Sequence, residues 1–151
     1  MLAVILSGHG GFASGIAQAV AQVIGEQEQF RFLDFPEQMT TSQLEVAMRQ
    51  AIEEIDSGEG IVFLTDLLGG TPFRTASLLS QERDDIEVVT GTNMQMAAET
   101  LFERDELSLS EFRDLAVKCG HRGITSLATE MALKAQQAST QPSAVVEEDG
   151  I

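Results

Sequence analysis

The chain has 151 residues, 43% of them hydrophobic and 22% charged, with one cysteine, three prolines and neither Trp nor Tyr. That suits one globular domain with a sizeable core and excludes a disordered or disulfide-framed protein. Nine Lys and Arg against 24 Asp and Glu leave a formal charge of −15, so phosphate backbones and anionic lipid are poor partners and a basic docking face is a good one.

In chain order, Leu2 to Ser7 is an almost unbroken apolar run and reads as a strand buried on both faces, the habit of parallel sheets. Ile16, Val20, Val23 and Ile24 form a helical stripe that Gly25 can close. Phe30 to Phe35 is a second strand, interrupted by Arg31 and Asp34. Leu44, Ala47, Met48, Ala51, Ile52 and Ile55 then share one helical stripe, and Ser42 with Glu45 predicts a capping box at its start. Ile61 to Leu64 and Ile86 to Thr90 are the third and fourth strands. Asn93 precedes a helix opening with Met94 and Met96, and a second capping box, Ser108 with Glu111, precedes one carrying Phe112, Leu115, Ala116 and Cys119. Ile124 to Leu127 reads as a short extra strand and Leu127 to Ala138 as a last helix. Gln, Ser, Thr, Pro and acidic residues predict a flexible acidic tail over 136–151, leaving 1–135 as the domain. The alternation predicts an α/β protein, three layers α/β/α around a mainly parallel sheet of four strands. No apolar run approaches the roughly 20 residues that cross a bilayer. The opening Met1-Leu2-Ala3-Val4 lacks a basic leader, so a cytoplasmic location is expected.

In an open parallel sheet, ligands bind beyond the carboxyl ends of the strands. The first strand runs into Gly8-His9-Gly10-Gly11-Phe12-Ala13, and the third into Asp66-Leu67-Leu68-Gly69-Gly70-Thr71-Pro72-Phe73-Arg74. The fourth leads to Gly91-Thr92-Asn93, the second only to Asp34-Phe35-Pro36. Glycines on both sides of His9 let its ring stand exposed and a second protein approach. Neutral imidazole accepts a phosphoryl group when its other nitrogen is held as a donor, normally by a carboxylate. Asp66 ends the third strand, beside the first in a flavodoxin-like order, and is the candidate orienter. Gly69 and Gly70 can turn successive N–H groups inward as an anion nest, and Pro72 suits the first turn of a helix. Thr71 stands near the N-cap, where its hydroxyl can donate to a phosphoryl oxygen. Arg74 lies one turn in, within reach of the phosphoryl group or of a partner.

Ser7-Gly8-His9-Gly10, taken with the Asp66 to Phe73 run, resembles the mannose-type enzyme IIA domain of the bacterial sugar phosphotransferase system, over roughly residues 1 to 130. Gly-Gly-Phe-Ala-Ser-Gly after the histidine and Gly-Gly-Thr-Pro-Phe-Arg are similar to the N-acetylgalactosamine/galactosamine branch. The resemblance implies a phosphotransferase that works as a phosphohistidine carrier. Phospho-HPr would pass its phosphoryl group to Nε2 of His9, and His9 would hand it to a cognate enzyme IIB. That partner phosphorylates the sugar as the membrane subunits IIC and IID import it. Asp66 matches the family carboxylate that orients the histidine through Nδ1, and Thr71 the Ser/Thr that contacts the phosphoryl group. Many members carry Asn where this chain has Arg74. A homodimer that exchanges a C-terminal strand is also implied, with Ile124 to Leu127 as that strand, and neither metal nor cofactor is required.

Three other readings stay open. A phosphoryl donor to a dihydroxyacetone kinase has a related fold and a similar histidine, and a non-enzymatic regulator could keep the fold without turnover. Gly8 to Ala13 also fits the GxGxxA dinucleotide pattern, with Asp34 where a ribose-binding acid would stand. Against it, His9 puts a ring where a pyrophosphate needs close backbone, and the chain has no room for a second nucleotide-binding half. Cys119 and His121 have a metal-ligand spacing but no evident third ligand, so they read as a buried cysteine near a helix end.

Overall fold

The four apolar runs pair edge to edge in the computed structural model, which describes residues 1–140. Strands β1 (Ala3–His9), β2 (Phe30–Phe35), β3 (Ile61–Thr65) and β4 (Ile86–Val89) form one parallel sheet in the order β2-β1-β3-β4. Helices α1 (Phe12–Ile24), α2 (Thr41–Ile55), α3 (Thr71–Ser80), α4 (Met94–Glu103), α5 (Leu109–Arg122) and α6 (Leu127–Thr140) follow in turn. The central strands β1 and β3 are buried on both faces, as their unbroken apolar runs require. β2 is an edge, and its interrupting Arg31 is exposed.

The two faces of the sheet carry separate cores. Val4, Leu6, Val62 and Leu64 face Ala13, Ala17, Val20, Ala97, Phe112 and Ala116 of α1, α4 and α5. Ile5, Ile61 and Phe63 face Leu44, Met48, Ala76 and Leu79 of α2 and α3. α1 and α3 therefore pack on opposite faces, and both begin at the carboxyl edge of the sheet. A buried cation ties the opposite edge together. Arg104 is 3% exposed, and its guanidinium donates to the carbonyls of Leu2 at 3.3 Å, Gln29 at 3.1 Å and Glu28 at 2.7 Å. Replacing Arg104 by Met takes the donor from the buried Leu2 carbonyl and breaks the bonds to Glu28 and Gln29, the last of which keeps the Val4 N–H, and is expected to lower the unfolding free energy by about 1–3 kcal/mol. Urea denaturation checks this.

Two local expectations are corrected. The capping box of α2 is made by Thr40 and Gln43, not Ser42 and Glu45: the Thr40 hydroxyl accepts the Gln43 N–H at 3.1 Å and the Gln43 side chain accepts the Thr40 N–H at 2.9 Å. Both registers carry the same signature, and the helix begins at the earlier one. The box at Ser108 and Glu111 stands as expected, and Gly25 closes α1 with φ +84°. Second, Ile124 to Leu127 is not a strand within this chain. Residues 124–126 run without regular structure, and the Ser126 hydroxyl accepts the Thr129 N–H at 3.1 Å, capping α6 instead. A strand needs a neighbour for its N–H and C=O groups, and this segment has none among the described residues, whereas a helix satisfies its own. The last helix, expected over Leu127 to Ala138, is α6, Leu127–Thr140, and residues 141–151 of the expected tail lie outside the described residues.

Candidate active site

Parallel pairing of Ser7 with Thr65 brings the ends of β1 and β3 side by side, and with them His9 and Asp66. One oxygen, Asp66 Oδ2, accepts both the His9 main-chain N–H at 2.9 Å and the ring Nδ1–H at 2.8 Å. Its other oxygen accepts the Leu67 N–H at 2.9 Å. Burial pushes the Asp66 pKa up, but the bonds from the His9 N–H and ring outweigh it and hold the carboxyl below its ordinary value. Asp66 is therefore an acceptor only at neutral pH. The Nδ1 proton must come from the ring, and in the neutral imidazole Nε2 keeps its lone pair. The His9 side chain is 45% exposed and that of Asp66 14%, so the ring is open to solvent while the carboxylate that holds it is shielded.

The turn before α3 is shaped around that ring. Gly69 has φ +78°, and a Cβ at Gly70 would stand 2.7 Å from His9 Cε1 and 3.5 Å from Nε2. Gly70→Ala is expected to displace the ring and slow phosphoryl acceptance by about 10²-fold, as misplacing a reacting group by an ångström does. Single-turnover labelling of the folded variant measures it. The Gly70 N–H donates to the Leu67 carbonyl at 3.0 Å, so it does not join the anion nest anticipated from the two glycines. Gly70 is the N-cap of α3 without a side-chain cap, and Pro72 follows in the first turn. The amides of Thr71 and Phe73 are the unpaired donors there. Thr71 is half-buried at this end. Arg74 is exposed and makes no side-chain hydrogen bond or ion pair among the described residues, whereas Arg31, Arg49, Arg83, Arg113 and Arg122 all pair with carboxylates.

One neighbour of the ring was not anticipated. Phe35 lies opposite His9 in the β1–β2 register, and its ring meets the imidazole edge-on, centroids 5.8 Å apart and planes at 76°. The only signal for it was position: the second strand also ends at this edge. Gly8 opens room inward, not toward a partner. A Cβ there would overlap the Phe12 ring and stand 3.0 Å from Asp66 Cγ.

Other expected features are occupied elsewhere. Thr92 donates its hydroxyl to the Thr65 carbonyl at 2.8 Å, and Asn93 caps α4 while bonding the Gly120 carbonyl, so the fourth turn is structural. Asp34 is not free for a ribose: its Oδ1 accepts the Ser14 N–H at 2.8 Å, at the amide end of α1 where a pyrophosphate would lie. Cys119 is buried, and burial together with the neighbouring Glu99 pushes its thiol up to about 11. Among the described residues no three His, Cys, Asp or Glu side chains group as a metal site.

A histidine held by a carboxylate beside an uncapped helix amide end, at the carboxyl edge of a parallel sheet, is the candidate site of this α/β/α protein. The chain belongs to the EIIA-man family, described as the PTS system fructose IIA component, whose model matches residues 3–117. It is 34% identical over 127 residues to YadI of Escherichia coli K12, which carries the name of a phosphotransferase enzyme IIA component, covering 84% of this chain and 87% of that protein. It is 31% identical over 138 residues to the mannose-specific EIIAB component of Escherichia coli K12, covering 91% of this chain but only 43% of that longer relative. A crystal structure of the phosphotransferase system component EIIA from Streptococcus agalactiae superposes with a TM-score of 0.79 at 32% identity, covering 85% of this chain and 99% of that one. The dinucleotide-binding reading falls with this membership and with the engagement of Asp34. The chain is a IIA-type phosphocarrier component of sugar uptake.

Proposed function

We propose that His9 Nε2 accepts a phosphoryl group from phospho-HPr and passes it to a cognate enzyme IIB, which acts with the membrane subunits IIC and IID on an amino sugar of the N-acetylgalactosamine/galactosamine type. The observation that carries this reading is the double acceptance by Asp66 Oδ2, which fixes the ring as the Nδ1–H tautomer with Nε2 exposed beside Gly70. In each transfer one N–P bond breaks as another forms on the opposite side of phosphorus, and Asp66 balances the positive charge of the phosphorylated ring. Transfer between two histidines is nearly energy-neutral, so the protein's contribution is in-line placement. The free amides at the start of α3 and the Thr71 hydroxyl would receive the phosphoryl oxygens, aided by the helix dipole. Arg74, unpaired in a chain of net charge −15, suits an anion, on the phosphoryl group or on the partner. Its role separates by kinetics: loss of kcat in Arg74→Ala assigns the phosphoryl group, a raised KM the partner.

A cytoplasmic location completes this reading, and no described helix is long and apolar enough to cross a membrane. A homodimer is part of it as well. In its support, every residue from His121 to Ser139 is exposed, including Ile124, Leu127 and Met131, and β4 leaves a sheet edge open. A chain ending at Arg122 is expected to run as a monomer in sedimentation where the full chain runs as a dimer. The function itself is tested by intact mass after incubation with phosphoenolpyruvate, enzyme I and HPr. One added acid-labile phosphoryl group that leaves on addition of IIB is the expected result. No added mass, with enzyme I and HPr shown active, overturns the reading.

A further inference from the structure

The amide ends of α1 and α3 reach the carboxyl edge of the sheet from opposite faces, with His9 between them on β1. Either end has the polarity that draws an anion. They are not equivalent. At α3 no side chain caps the helix, no acidic residue lies in its first turn, and Pro72 brings no N–H of its own. At α1 the N-cap Gly11 also has no side chain to offer, but a carboxylate arrives from the neighbouring strand. Asp34, paired in register with Gly8, accepts the Ser14 N–H at 2.8 Å and so stands one residue from the nucleophile.

We propose that Asp34 is a specificity-determining residue for phosphoryl acceptance: its carboxylate occupies the amide end of α1, so that the incoming phosphoryl group is received at the amide end of α3. This rests on the carrier reading above. A negative charge already seated at α1 repels a second anion, while Gly70 leaves the Cε1–Nε2 edge of the ring open toward α3, where a Cβ would stand 2.7 Å from Cε1. The side from which phosphorus is held is thus set by a residue that touches neither the ring nor the phosphoryl group. The same bond places a carboxylate where a GxGxxA-like turn would receive the anion of a nucleotide.

Inorganic phosphate titrated into the full chain labelled with 15N tests this through backbone amide shifts. In wild type the shifts are expected at Gly69 to Phe73 and not at Phe12 to Ser14. Asp34→Ala, and Asp34→Ser as a second open variant, should add shifts at Phe12 to Ser14. Asp34→Asn, whose amide oxygen still accepts from Ser14 but carries no charge, should also add shifts at Phe12 to Ser14, smaller than those of the open variants. In the open variants kcat for acceptance from phospho-HPr should fall about tenfold with KM unchanged, the scale of losing a group that acts through its neighbours. Shifts at α1 in wild type, shifts at α3 alone in both open variants, or an unchanged kcat in a variant that binds phosphate at both ends would each overturn the proposal. A wild type that binds phosphate at α3 alone yet takes no phosphoryl group from the donor sinks the carrier reading and leaves the assignment of the two anion ends standing.

Discussion

His9→Ala is expected to abolish phosphorylation by phospho-HPr while leaving the fold intact. The loss is complete because no second nucleophile is in place: the other histidine, His121, is exposed in the last turn of α5, and the one cysteine is buried. The fold should survive because the His9 side chain is 45% exposed and the Asp66 carboxylate keeps its bonds from the His9 and Leu67 main-chain N–H groups. A change within about 0.5 kcal/mol is the ordinary cost of such a surface substitution, beyond what the Phe35 contact adds. Intact mass and a thermal melt on the same sample decide it. A variant that melts like wild type and carries no phosphoryl group fixes the nucleophile. One that is still labelled in full would move the site to another side chain.

The order of elements was readable because burial on both faces removes the alternation that a one-sided strand needs. The Ala3 to Leu6 and Ile61 to Leu64 runs therefore identify two central strands directly. His9 and Asp66 were readable for a related reason: adjacent parallel strands bring their carboxyl ends together whatever the side chains, so topology alone set the last residue of β1 near the first residue after β3. What could not be read depends on register or on space. Phe35 meets His9 because the β1–β2 pairing aligns them, and nothing in the dipeptide Asp34-Phe35 announces it. Gly8 serves the Phe12 ring and Asp66, a matter of inward volume, though glycine beside an active histidine suggests outward access. Thr40 outcompetes Ser42 because two identical capping signatures overlap, and only the first turn's packing chooses between them. For Ile124 to Leu127 the apolar pattern allows strand or helix, and the sheet neighbour that would decide for strand is absent within one chain.

Asp66→Asn should reduce the rate of phosphoryl acceptance by about 10²- to 10⁴-fold, because an amide can hold the wrong tautomer in an unchanged geometry. In wild type the ionised carboxylate can only accept, which forces the proton onto Nδ1. Each Asp66 oxygen accepts a main-chain N–H, so an Asn side chain sets its NH2 against one of them. Turned to Nδ1 it places the ring proton on Nε2 and removes the lone pair that attacks phosphorus, and turned to Leu67 it loses that bond and the charge that steadies the phosphorylated ring. 15N chemical shifts of the imidazole separate this from simple loosening, since they report the tautomer with no donor present. The same substitution has a stability signature whose sign follows from linkage. Asp66 titrates below its ordinary value of 3.8 in the folded chain, so it stabilises the fold above that pH, and its contribution is lost as pH falls through the lowered value. The acid limb of the wild-type unfolding curve should therefore be steeper than that of Asp66→Asn, with the difference confined to pH below about 4. Parallel acid limbs would mean that the bonds from His9 do not favour the ionised carboxylate, and the tautomer argument built on its charge would fall with them.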